Sequence, residues 1–271
     1  MRENFEGMIV YGVPKKPVLP FDLLATTELG EKAYYVPSSV IPTKGDEDVE
    51  CKSREGDDWF PVVTKPQRLT AFLPGNPGAG KSYLANELIG LLPPHTNILL
   101  FTALEGDDGN FAQLKKEGRL FKVRMDAELL KNMTLDTIRS RSPETLLLFD
   151  DVDAIRDPVL AKAVFKLMED ALFNGRGHAC HDGRGDIHVI ATSHALNDYR
   201  KTKYTLENAD YVAVFPQSTT YKQLLLLFTK IGLSKELCDK VVKAGKNGVR
   251  RVIIKKSAPM YIIIGSTISL L

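Results

Sequence analysis

Residues 75–82 read Gly-Asn-Pro-Gly-Ala-Gly-Lys-Ser, a glycine-rich run closed by a lysine and a hydroxyl. That spacing suits a phosphate-binding loop. The glycines let the backbone curl so that successive N–H groups point at one anion. A helix opening there adds the positive end of its dipole. Lys81 can then reach the β- and γ-phosphates, and Ser82 offers a hydroxyl to Mg²⁺, a hard cation that prefers oxygen. An apolar run over 69–73 precedes the loop and a helical stretch over 82–91 follows it, which is the required context.

Residues 145–151, Thr-Leu-Leu-Leu-Phe-Asp-Asp, read as a buried strand ending in two acids. The C-terminal edge of an open α/β sheet is where ligands bind. Asp150 is the natural partner of Mg²⁺, through a water. Asp151, on the other side of the strand end, is placed to orient or activate an attacking water, with Asp153 a weaker substitute. Together the two motifs point to nucleotide hydrolysis rather than binding alone.

A further apolar strand over 187–192 ends in Thr192, Ser193 and His194, whose polar groups could contact the γ-phosphate or the water. Before it, the glycine-rich stretch from Asn174 to Asp186 carries Arg176 and Arg184, suited to a trans-acting arginine or to DNA contact. His178, Cys180 and His181 cluster there too. No second Cys/His pair at zinc-type spacing completes a ligand set, so a metal site is not expected.

These residues need elements to hold them. From Arg68 onward, apolar runs alternate with helical periodicity: strands over 69–73, 97–103, 120–123, 145–149, 187–192 and 211–215. That alternation predicts an α/β fold with a buried, mostly parallel sheet and crossover helices. One helix is well signed, with Asp157 as cap, Pro158 at its first position and Gly175 as its stop. Others are expected from Ser218 and from Ser234 to Gly245, then a terminal pair of strands over 251–256 and 261–264. Residues 1–67 read as a short β-rich lead-in packed on the core, with strands at 8–13 and 33–36. The acidic stretch from Gly45 to Asp58 is expected to be an exposed loop.

The chain has 271 residues, 44% hydrophobic and 26% charged, which excludes collagen-like, low-complexity and wholly disordered classes. Three cysteines, Cys51, Cys180 and Cys238, make no disulfide framework and fit a reducing, intracellular compartment. The apolar stretch from Met260 to Leu271 is too short for a membrane helix. Acidic residues near the N-terminus argue against a secretion signal. The net charge of +2 conceals an asymmetry: residues 200–256 hold 13 basic and 4 acidic side chains, net +9, and residues 1–199 carry net −7. A basic C-terminal third is either a solvated helix face or a footprint for nucleic acid, with Lys243, Lys246, Arg250 and Arg251 as contacts.

The loop, the Leu-Leu-Leu-Phe-Asp-Asp strand and the Thr-Ser-His strand resemble P-loop ATPases of the additional-strand type. The tail sharpens the likeness: Tyr199-Arg200-Lys201-Thr202-Lys203, Val214-Phe215-Pro216-Gln217-Ser218, Ile231-Gly232-Leu233, Arg250-Arg251-Val252 and Lys256-Ser257-Ala258-Pro259-Met260-Tyr261-Ile262. In this order, over about residues 68–271, they resemble the genome-packaging ATPases of large DNA viruses within the FtsK–HerA superfamily. The resemblance implies a RecA-like P-loop NTPase domain over 68–271. ATP would be bound by Gly75, Asn76, Pro77, Gly78, Ala79, Gly80, Lys81, Ser82 and Tyr83, with Mg²⁺ on Ser82 and Asp150. Asp151 would stand near the catalytic water, with a polar sensor at Ser193 and His194. It implies a homo-oligomeric ring on double-stranded DNA, a capsid or portal-like partner, and a place in the host cytoplasm, a virus factory or the virion. The family often has Thr-Arg where this chain has Thr202-Lys203, so the trans-acting arginine would be Arg200, Arg176 or Arg184. Rival readings are an AAA+-type remodelling ATPase, which would need a C-terminal helical lid, and a nucleotide-gated assembly or scaffold protein with weak turnover.

Overall fold

The computed structural model describes residues 8–11, 21–27, 32–37, 50–52, 58–62, 68–104, 109–142, 144–176, 185–194 and 199–271. The N-terminal part holds strands β1 (Met8–Tyr11), β2 (Phe21–Thr27), β3 (Lys32–Pro37), β4 (Glu50–Lys52) and β5 (Trp59–Pro61). The rest alternates: β6 (Thr70–Pro74), α1 (Lys81–Gly90), β7 (Asn97–Thr102), α2 (Ala112–Lys116), β8 (Leu120–Lys122), α3 (Ala127–Asn132), α4 (Leu135–Arg141), β9 (Thr145–Asp150), α5 (Pro158–Asn174), β10 (Ile187–Ser193), α6 (Tyr199–Asn208) and β11 (Tyr211–Val214). Helices α7 (Tyr221–Lys230) and α8 (Lys235–Lys246) and strands β12 (Val252–Lys255), β13 (Tyr261–Ile264) and β14 (Thr267–Leu270) complete it.

Among the described residues, the main sheet has ten strands in the order β4-β14-β13-β12-β11-β6-β10-β9-β7-β8. The six from β11 to β8 are parallel, and the four at the other side are antiparallel. This is an α/β fold, with a mostly parallel sheet flanked by helices. Successive residues of β9 feed opposite cores, as the period-2 geometry of a strand demands. Leu146 and Leu148 pack with Leu84, Leu88 and Ile89 of α1 on one face. Leu147 and Phe149 pack with Val164, Leu167 and Met168 of α5 and Phe228 and Val241 of α7 and α8 on the other.

Strand β10 lies between β6 and β9, in register with both. That insertion fixes the site. The ends of the loop strand, the polar strand and the acid strand come out side by side at one edge, in that order.

Several local expectations are corrected. Residues 50–52, expected in an exposed acidic loop, form β4 and pair with β14. Edge strands tolerate charge because one side of the backbone ladder faces solvent, so acidity alone did not exclude a strand. The terminal pair of strands is a trio, because Gly265, at φ 58°, turns the apolar run back on itself as β14. Helix α7 is capped by Thr220, two residues past the expected start at Ser218: Thr220 and Gln223 form a reciprocal capping box, and the Ser218 hydroxyl donates to the Phe215 carbonyl instead. Helix α6 was unmarked in a polar, threonine-bearing sequence, but it buries Thr202, Thr205 and Leu206. The signed helix α5 has Asp157 accepting from the Val159 and Leu160 N–H groups and ends at Gly175. Strands β1, β3, β2 and β5 form a second, antiparallel sheet. Its Trp59 and Phe60 are buried against the core of the main sheet, and the Trp59 N–H donates to the Gly265 carbonyl at 3.0 Å.

Candidate nucleotide site

The site begins with the turn from β6 into α1. Gly80 precedes the helix at φ 100°, a conformation that carries a penalty for any residue with a Cβ. No acidic residue stands in the first turn of α1, so its positive end is left to an anion. Gly75 is buried, and a Cβ there would come within 2.9 Å of the Phe215 ring. Its N–H donates to the Ser193 carbonyl at 2.9 Å, tying the loop to the end of β10.

Lys81 is 5% exposed. Its ammonium faces the Gly75 carbonyl at 3.0 Å, His194 Nδ1 at 3.0 Å and Asp151 Oδ1 at 3.5 Å. An ammonium has three hydrogens and no lone pair. His194 Nδ1 must therefore accept, which leaves Nε2–H to donate to Asp151 Oδ2 at 2.8 Å. A neutral imidazole thus bridges the lysine and the carboxylate. A phosphate entering the loop meets a lysine hydrogen-bonded to a carbonyl and an imidazole and ion-paired with a carboxylate, and it competes with these partners.

Asp151 stands at φ 49°, ψ 37°, a left-handed conformation uncommon for a residue other than glycine. Thr192 holds it there. The Asp151 N–H donates to Thr192 Oγ1 at 2.9 Å. The single Thr192 hydroxyl hydrogen is within reach of Asp150 Oδ1 at 2.9 Å and Asp151 Oδ1 at 3.1 Å. One threonine thus places both acids, and the backbone turn separates their directions. Asp150 is 3% exposed at the end of β9.

Among the described residues no cluster of three or more His, Cys, Asp or Glu could hold a metal. A lone hydroxyl, Ser82, and a lone carboxylate, Asp150, nonetheless fit Mg²⁺, which keeps much of its water and takes its remaining ligands from substrate phosphates.

The predicted residues therefore divide. Lys81, Asp151 and His194 meet, with Asp150 joined through Thr192. Ser193 points elsewhere, its hydroxyl donating to Asp153 Oδ2 at 3.0 Å, which also accepts the His194 N–H at 3.0 Å. Asp153 thus ties down the end of β10. Asn76 donates to the Ser218 carbonyl, Pro77 and Tyr83 are exposed, and Ala79 donates its N–H to Asn76 at 3.2 Å. Arg176 lies before β10, where the Gly175 carbonyl accepts from Ile187 N–H. The seven residues of β10 put it roughly 20 Å from the Lys81 edge of the same chain. Arg139 clamps that region through the Asn174, Arg176 and Gly185 carbonyls. Arg200 is in the first turn of α6, its side chain outside the described residues, as are His178, Cys180, His181 and Arg184 altogether. Sequence reasoning missed the bridging role of Thr192 and the support from Phe215.

The basic third is less of a surface than its count suggested. Arg251 is ion-paired with Glu87 of α1 and lies 5.4 Å over the Phe60 ring. Lys255 donates to the carbonyls of Ser257, Ala258 and Pro259, and Lys256 to those of Leu206 and Glu207. Burial lowers the Lys256 pKa. Lys243 and Lys246 of α8 and the following Arg250 are exposed.

No family model matches the chain. It is similar to the uncharacterized protein V3 of Sputnik virophage, 29% identical over 209 residues that cover 75% of this chain and 78% of the relative. Among solved structures it is similar to the cytoplasmic domain of the Thermomonospora curvata type VII secretion ATPase EccC, with TM-score 0.48, 12% identity, and coverage of 84% of this chain and 29% of that one. It is also similar to the pCW3 conjugation coupling protein TcpA, solved as a monomer with ATPγS, with TM-score 0.46, 13% identity, and coverage of 93% of this chain and 77% of that one. Among the described residues no helix is long and apolar enough to cross a membrane.

Proposed function

We propose that this chain is a Mg²⁺-dependent ATPase that translocates double-stranded DNA, and that it drives a viral genome into a capsid. The observation that carries the hydrolytic reading is the convergence of Lys81, His194 and Asp151 beside a phosphate loop, with Asp150 held by Thr192. Mg²⁺ held by Ser82 and Asp150 would offset charge on the phosphates. Lys81 exchanges His194 and Asp151 for phosphate oxygens and holds the charge gathering on the leaving oxygen. Asp151, released from the lysine, orients the attacking water and takes its proton, while His194 stays on the carboxylate and holds its direction. Arg176, remote from Lys81 in its own chain, can act only on a neighbour's nucleotide, so a homo-oligomeric ring is part of the proposal; Arg184 and Arg200 are the other candidates.

The DNA reading is supported by the exposed lysines of α8 and by the resemblance of the tail series to packaging ATPases. Similarity to a virophage protein supports a viral setting, and a capsid or portal-like protein is the proposed partner. The C-terminal strands β12, β13 and β14, with β4 beyond them, extend the sheet where an AAA+ remodeller would carry a helical lid, so we do not favour that reading. Residues 68–271 are the proposed ATPase domain, with residues 1–67 packed on it.

The test is ATP hydrolysis by the purified chain with Mg²⁺, with and without long double-stranded DNA, and with Lys81→Ala as control. Hydrolysis should rise with DNA and vanish in Lys81→Ala. Hydrolysis that persists in Lys81→Ala sinks the site, and hydrolysis indifferent to DNA sinks the motor.

A further inference from the structure

A cleft of about 1040 Å³ opens from the outer side of the phosphate loop. Gly80 and Tyr83 line one wall, Phe215 and Gln217 contribute the floor, and Asn247 and Arg250 line the other wall. The volume is at the upper end for small-molecule pockets and far exceeds what phosphates require. The hydrolytic reading uses only the phosphate end and leaves this space unexplained.

The cleft is built rather than incidental. Residues 215–218 form a strap between its walls. A Cβ on Gly75 would meet the Phe215 ring at 2.9 Å, and a Cβ on Gly245 of α8 would meet the Pro216 side chain at 2.8 Å. Only glycines allow the strap to lie this close on both sides. The far wall is the turn that ends α8. There the N–H groups of Asn247, Gly248 and Val249 return to helix carbonyls, which fixes the turn. What the turn can present to a ligand is the Asn247 amide and the exposed Arg250 guanidinium. Gln217 adds a second amide from the strap. An amide offers one donor and one acceptor edge, the pattern needed to pair with a nucleobase edge, and a planar guanidinium can stack on a base face. A triphosphate anchored with its outer phosphates on Lys81 has its nucleoside at the other end of the loop.

Resting on the phosphate-loop reading, we infer that this cleft holds the nucleoside half of the nucleotide, and that Gln217, Asn247 and Arg250 are its base-side contacts. Arg250 is then a nucleotide contact and not part of the DNA face. The helix bearing the exposed lysines ends in the wall that touches the nucleoside, so occupancy of the cleft is felt at α8.

The experiment is calorimetric titration of the full chain with a non-hydrolysable ATP analogue and, separately, with inorganic tripolyphosphate. The parent should bind the analogue at least about tenfold more tightly, the worth of one or two satisfied polar contacts. The pair of substitutions Gln217→Ala and Asn247→Ala, which remove exposed amides, should weaken the analogue by about tenfold and leave tripolyphosphate unchanged. Unchanged tripolyphosphate binding also shows that the variant is folded. Equal affinity of the parent for both ligands, or an unaltered analogue affinity in the variant, overturns the nucleoside site and leaves the phosphate loop standing. Failure of the parent to bind either ligand overturns both.

Discussion

Asp151 separates binding from turnover most cleanly among the individual residues. Asn at that position keeps an oxygen for His194 and a similar volume, but it takes up no proton and attracts Lys81 less. Asp151→Asn should keep ATP affinity within a few-fold and lower the hydrolysis rate by about a hundredfold or more, the range for a positioned acid–base group. Equilibrium binding beside single-turnover hydrolysis checks this. Turnover at the parent rate would show that another group orients the water. The side chains of this cluster were legible in the sequence because each sits at a fixed offset from a loop or strand end: Lys81 closes the glycine run, and the acids close an apolar run. Thr192 was legible only as part of a polar strand end. Its role depends on the left-handed turn at Asp151, which brings the Asp151 N–H back onto the hydroxyl. A single strand's pattern does not encode such a turn. Ser193, one position on, faces the other way, as the alternation of a strand requires.

At the scale of elements, the parallel strands were readable because both faces of the sheet are covered, which leaves nearly unbroken apolar runs. What escaped was pairing decided by backbone and by position: β4 at an edge, β14 after a glycine turn, and α6 in a polar sequence held by α5. The edge of the sheet opposite the nucleotide makes a test of its own. His188 of β10 is buried, and its Nδ1 accepts from the Leu69 N–H at 3.0 Å, which requires the ring to be neutral on that side. Burial lowers its pKa below the ordinary 6.5, with Glu144, 3.4 Å from Nε2, and Asp186 pulling the other way and Arg68 adding to the depression. The unfolded chain therefore takes up this proton at a higher pH than the folded chain does. The stability that His188 contributes is complete above about 6.5 and is lost as the pH falls from there towards the folded pKa. The denaturation midpoint should drop between about pH 7 and about pH 5, and less steeply in His188→Gln. Equal slopes in the two proteins would show that His188 carries no share of the acid sensitivity.

For the whole molecule, the charge asymmetry was the least reliable part of the sequence reading. Counting placed 13 basic side chains in residues 200–256. Folding commits Arg251 to Glu87 and turns Lys255 and Lys256 onto carbonyls, and it leaves exposed Lys222 and Lys230 on α7 and Lys235, Lys240, Lys243 and Lys246 on α8. Helix α8 is joined to the phosphate loop through the 215–218 strap, and this gives the molecule a physical route from nucleotide to lysines. The proposed motor moves duplex DNA as it turns over ATP. The most direct measurement is ATP-driven displacement of a third strand from a triplex site on long linear DNA, by the parent protein and by Lys81→Ala and Asp151→Asn. The parent should displace the third strand with ATP and Mg²⁺, and neither variant should. A parent that hydrolyses ATP on the same DNA and leaves the third strand in place would contradict the proposed motor.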